Sequence, residues 1–154
     1  MKIHSKSRGF TLIELMVVCA IIGILSAMVI VSLASAKAKA RDGKRVSDLA
    51  QIQGALEQYF DHNNAYPTTL NSINNSGTVY ISTMPTAPVG GSCVSSYGYD
   101  INDNNKPTDY VLQTCLENNN AAIQDGLSSD PYAGNLNCAS NSTASTYNYC
   151  VGPK

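Results

Sequence analysis

Arg8-Gly9-Phe10-Thr11-Leu12-Ile13-Glu14-Leu15 opens an apolar run that continues to Ala36. Met16 to Met28 holds no charge, and Leu15 to Ala36 is 22 residues, roughly 33 Å as an α-helix and about the thickness of a bilayer core. The run reads as a membrane-spanning helix with one carboxylate, Glu14, in its first turns. The leader before it, Met1 to Gly9, carries Lys2, Lys6 and Arg8 and no acid. A secretory signal peptide also starts basic, but its apolar region is shorter and ends at a small-residue cleavage site. This run instead passes unbroken into a further helical pattern. A carboxylate in hydrocarbon demands a partner. Two readings stay open: Glu14 snorkels to the near interface, or cleavage after Gly9 frees an α-amine on Phe10 that meets the Glu14 of a neighbouring subunit.

Arg8-Gly9 followed by Phe10-Thr11-Leu12-Ile13-Glu14-Leu15-Met16-Val17-Val18 resembles the class III signal of type IV prepilins and pseudopilins. The resemblance covers the leader and the N-terminal helix. It implies cleavage after Gly9 by a membrane aspartyl prepilin peptidase, N-methylation of Phe10, and guidance of the subunit by Glu14 into a homo-oligomeric helical filament raised on an inner-membrane assembly platform. The family often has a proline in the second half of the span. Val31 stands at that place here, and Gly23 is kept.

Beyond the span the pattern becomes amphipathic. Val46, Leu49, Ile52, Leu56, Tyr59 and Phe60 recur at spacings of three and four, a stripe suited to packing under a sheet. His62-Asn63-Asn64 and then Pro67 end the helix. Tyr59 with Asn63-Asn64-Ala65-Tyr66-Pro67 resembles the stretch that closes this helix in many pseudopilins and short pilins. The expected class is α+β: one helix over about 10–62, its first half a transmembrane or filament-core segment, packed on a small antiparallel sheet with a disulfide-closed C-terminal loop. The expected division is a leader (1–9), an apolar segment (10–36), an amphipathic segment (37–62) and a head domain (63–154).

Charge follows the same division. Lys37, Lys39, Arg41, Lys44 and Arg45 make a basic waist, whereas nine of the eleven acids lie beyond Val46. Lipid headgroups before assembly and acidic neighbours afterwards account for the waist; DNA binding is not otherwise indicated. The five waist cations outnumber the three of the leader, against the usual cytoplasmic excess for a leader-in topology. The cysteines decide the orientation. Past Pro67 the chain is poor in large apolar residues, and a weak core needs covalent support. Cys93, Cys115, Cys138 and Cys150 are an even set in this region, so the head faces an oxidising compartment. Without CxxC spacing or a nearby histidine, zinc is disfavoured.

Tyr97 to Ile101 and Asp109 to Leu116 read as strands, with turn chemistry between them. A hairpin centred near Asn104-Asn105 brings Cys93 opposite Cys115. Cys138 and Cys150 then close a C-terminal loop, with Tyr147-Asn148-Tyr149 as the last strand. Pro67 to Leu70 starts a small helix with Leu70 and Ile73 inward, and Val79-Tyr80-Ile81 is an extended run. Asp100 to Asn104 begins like a calcium loop, but Asn105 and Val111 stand where glycine and glutamate are required. Asp125, Ser128 and Asp130 offer oxygen atoms, similar in position to the calcium loop of major pseudopilins, and are a weak calcium candidate. His4 and His62 are the only histidines, and no nucleophile elbow or phosphate loop is present, so no catalysis is expected. The expectation is a pilus subunit, inner-membrane as precursor and extracellular after assembly, for adhesion, twitching motility or DNA uptake. The alternative is a major-type pseudopilin of a type II secretion system.

Overall fold

The computed structural model describes residues 9–74, 77–93, 96–119, 126–129, 131–132, 136, 138 and 146–153. The chain divides into two compact units, one ending at Lys37 and one running from Ala38. A single helix, α1 (Leu12–Asn63), contributes to both.

In the first unit, α1 carries a predominantly apolar exposed surface from Leu12 to Met28. An 18-residue window has a mean hydropathy of 2.8 with none of it buried. By length and composition, α1 is long and apolar enough to cross a membrane.

In the second unit, α1 packs against a three-stranded antiparallel sheet of β1 (Gly98–Ile101), β2 (Tyr110–Leu116) and β3 (Tyr147–Val151), in the order β1-β2-β3. The register pairs Ile101 with Tyr110 and Gln113 with both Gly98 and Cys150. The β1–β2 connection is closed by Asn102, whose Oδ1 accepts the N–H groups of Thr108 and Asp109, both at 3.0 Å. β2 is the central strand, and its two faces meet different material. Tyr110 and Leu112 join Leu49, Ile52, Ala55 and Leu56 of α1 in the main core, with Tyr66, Ile73 and Ile81. Val111 joins Cys138 and Cys150 on the opposite face. This is the two-layer solution for an amphipathic helix and a sheet. The rings of Phe60, Tyr66 and Tyr110 continue the core, each neighbouring pair 4.6 Å apart, within the range of favourable aromatic pairing.

The helix ends where the asparagines stand. Asn64 takes a left-handed backbone (φ 51°) and donates its N–H to the Phe60 carbonyl at 2.8 Å, satisfying one of the terminal carbonyls. Two local expectations are corrected. The helix begun at Pro67 is a single 3₁₀ turn, Leu70–Ser72. Residues 79–81 form no strand: Asn74 supplies their partners, accepting from Tyr80 N–H at 3.0 Å and Ile81 N–H at 3.3 Å and donating to the Ile81 carbonyl at 2.6 Å.

Candidate functional site

The N-terminal segment is built around the start of α1. Gly9 to Thr11 precede the first helical residue, Leu12. Phe10 is 86% exposed, and nothing lies within contact distance of the Gly9 α-carbon's open side.

Glu14 sits in the first turn, where the helix dipole favours an anion. Its Oε2 accepts the Thr11 N–H at 2.8 Å and the Thr11 hydroxyl at 2.7 Å, and its own N–H donates to Thr11 Oγ1 at 3.3 Å. This is a reciprocal capping box, which satisfies orphan donors at a helix start. Thr11 is a residue that charge counting overlooks; the T-x-x-E spacing of Thr11 and Glu14 is the signal that reveals it. Glu14 thus has neutral hydrogen-bond partners within its own chain, and only Oε2 is engaged among the described residues. Apart from Ser26, the next turns are apolar: Leu12, Ile13, Leu15, Ile21, Ile22, Ile24 and Met28 are all more than half exposed. A continuous apolar surface of this extent marks a contact surface for lipid or protein. Cys19 lies on it as a free, exposed thiol.

The basic waist is not the solvated flank its composition implies. Arg45 is fully buried and Asp42 nearly so. Arg45 Nη1 reaches Asp42 Oδ1 at 3.0 Å and Glu117 Oε1 at 2.9 Å. Arg41 grips the same Glu117 with Nε at 2.7 Å and Nη2 at 2.6 Å, the two-pronged geometry that suits guanidinium and carboxylate. Asp42 also accepts the backbone N–H groups of Glu117 and Asn118, at 2.8 and 2.9 Å. The arginine hydrogen bonds, Arg41's first, hold the Glu117 carboxyl down at about 2 despite its burial. Lys44, half exposed, pairs with Asp48, which also accepts the Tyr97 hydroxyl at 2.6 Å. Three of the five waist cations are therefore paired within the chain: Arg41 and Arg45 with Glu117 of the head, and Lys44 with Asp48 of the helix itself.

Further along, Glu57 accepts the hydroxyls of Tyr66 and Tyr110, at 3.0 and 3.1 Å. Burial, with the Glu57 charge behind it, pushes both phenols well above their ordinary range.

The structure joins Cys93 to Cys115 and Cys138 to Cys150. Among the calcium candidates, Ser128 is exposed, and Asp125 and Asp130 lie outside the described residues. No group of three or more His, Cys, Asp or Glu side chains among the described residues is placed to hold a metal ion.

Comparison with known proteins extends this picture. Residues 4–34 match the family described as the prokaryotic N-terminal methylation motif. The chain is 39% identical over 99 residues to the Type II secretion system core protein G of Escherichia coli (strain K12), covering 64% of this chain and 65% of that protein. It is 41% identical over 88 residues to the protein of the same name from Vibrio cholerae, covering 57% of each. A more distant relative is the Type IV major pilin protein PilA of Myxococcus xanthus, 35% identical over 72 residues, which are 47% of this chain and 33% of that protein. The chain thus spans less than two thirds of the length of these relatives. No solved structure matches it.

Proposed function

We propose, for a chain that carries the prepilin methylation motif and is homologous to pseudopilins and a type IV pilin, that it is a structural filament subunit of the type II secretion kind. The observation that carries this reading is the pairing of an exposed apolar half-helix, headed by Glu14, with relatives that are mostly core protein G of type II secretion systems. The expectation of a surface pilus is thereby displaced in favour of its alternative. A disulfide-closed head serves either filament equally well.

In this reading the motif and the apolar helix belong to a membrane-anchored precursor. Prepilin peptidase cuts after Gly9 and the new terminus at Phe10 is methylated. Loss of Lys2, Lys6 and Arg8 takes the formal charge from −1 to −4. The inner-membrane assembly platform then draws the subunit out of the bilayer. The apolar face of α1 exchanges lipid for the same face of other copies. Glu14 trades the neutral Thr11 partners for the Phe10 amine of a neighbour, a charged partner of the strength that a buried carboxylate requires. The role is structural, and no chemistry is assigned to the head.

Deletion and fractionation test the assignment. Loss of the chain is expected to leave exoproteins trapped in the periplasm while surface pili remain. Normal secretion together with loss of sheared surface filaments would return the chain to the pilus class.

A further inference from the structure

We propose that the Cys93–Cys115 disulfide is a redox latch, which holds the 88–93 loop over the buried Arg45–Glu117 ion cluster so that the cluster closes only in the oxidised head. The loop meets the cluster at three consecutive places. The Pro88 carbonyl accepts from Arg45 Nη2 at 3.4 Å. The α-carbon of Gly91 (φ +78°) lies against the Glu117 carboxylate so closely that a β-carbon there would collide with it. Two residues on, Cys93 is bonded to Cys115 of β2, which is itself two residues before Glu117.

Little else holds this loop down. Among the described residues, 88–93 make no backbone hydrogen bond to the sheet, and the long bond from Arg45 is their one side-chain hydrogen bond. The cluster nevertheless depends on a cover. The Arg45 side chain is 0% exposed and that of Glu117 7%, and ion pairs so placed hold only while their remaining polar atoms stay satisfied and water stays out. Arg45 Nε is buried without a partner, so admitting water gives that donor an acceptor and favours opening once the loop is released. The second disulfide, Cys138–Cys150, packs with Val111 on the same face of β2 as Cys115, four residues along the strand, and bonds no residue of the 88–93 loop.

Closing the latch forms one S–S bond. The thiols of Cys93 and Cys115 lose two electrons and two protons, which a disulfide-bearing oxidant takes up as it is reduced to a dithiol. Before oxidation the loop is free, Glu117 is hydrated, and the end of β2 is tied to α1 only through Asp42. Afterwards Glu117 is fixed between two arginines. The head therefore docks its sheet fully on residues 41–45 of the helix only after oxidation. This inference concerns the head alone and stands whether the filament is of the secretion or the pilus kind.

Amide hydrogen exchange on the full chain in detergent micelles tests it. In Cys93→Ser/Cys115→Ser, the Glu117 and Asn118 amides, which donate to Asp42, are expected to exchange about tenfold or more faster as the cover opens locally. Tyr110 to Thr114 should keep their protection. Gly91→Ala, with both disulfides intact, should accelerate the same two amides, because Glu117 cannot retreat from the new β-carbon without leaving Arg41 and Arg45. Unchanged exchange at Glu117 and Asn118 in either variant would overturn the latch. So would an equal acceleration across Tyr110 to Thr114 or an unfolded double variant, since the disulfide would then be a general support of the head. An equal effect from Cys138→Ser/Cys150→Ser would overturn it as well.

Discussion

Between Leu12 and Met28 every large apolar side chain of α1 is exposed, whereas between Asp42 and Leu56 the same helix buries Asp42, Arg45, Asp48, Leu49, Ile52, Gln53, Ala55 and Leu56. The more apolar stretch is the exposed one, and the stretch rich in charge is the buried one. Hydropathy alone orders the two the wrong way round. What separates them is where their partners come from. The second stretch finds sheet, loop and Glu117 within its own chain. Among the described residues the first finds only Thr11, for one carboxylate oxygen, and the proposed filament would supply the rest from other copies.

The sharpest way to break this comparison is to remove the one polar demand of the first stretch. In the proposed filament, Glu14→Ala would leave the Phe10 amine of a neighbour unpaired in an apolar interior, a loss of about 3–5 kcal/mol by analogy with broken buried pairs. Filament yield is expected to fall at least about a hundredfold, with membrane levels of the chain unchanged, as checked by shearing and immunoblotting. The complementary change in the second stretch is Arg45→Ala, which takes from buried Asp42 its ion-pair partner and from Glu117 one of its two arginines. It should destabilise the head by about 3–5 kcal/mol in urea unfolding.

Acid titration probes the same cluster more gently. Glu117 is held at about 2 against an ordinary 4.5. Because the folded value lies below the unfolded one, its contribution is complete above about pH 4.5 and disappears as pH falls through about 2, some 3 kcal/mol in all. Urea unfolding of wild type and Glu117→Gln across that range should show a stability gap that narrows on acidification. At the small end, Thr11→Ala removes the cap of the first stretch and should cost about 1 kcal/mol of local helix stability. That is measurable as faster amide exchange in the first turn, with the head untouched.

Much of the second stretch was legible in the sequence. Leu49, Ile52 and Leu56 stand at helical spacing, and their burial follows from it. β2 was legible in the apolar and β-branched residues that fill Tyr110 to Leu116. The ion cluster was hidden because no local pattern links Arg45 to an acid 72 residues away, and charges beside a span are ordinarily solvated. Val79 to Ile81 misled for a related reason. Their composition suits a strand, but the side chain of Asn74 satisfies the backbone and no neighbouring strand is required. In the first stretch the span and its acid were plain from composition, while the capping role of Thr11 lay in a four-residue spacing that attention to charge passed over. The preference for secretion filament over pilus was not legible there, since both demand the same half-helix, and it rests on the relatives.

The claim that other copies cover the first stretch is tested most directly by placing a photo-crosslinking residue at Ile22 and irradiating cells that assemble the filament. The expected result is a ladder of homo-oligomers whose crosslinks map to residues 12–36 of another copy and vanish in Glu14→Ala. Crosslinks confined to lipid or to unrelated proteins, in cells where the chain is processed and abundant, would contradict it.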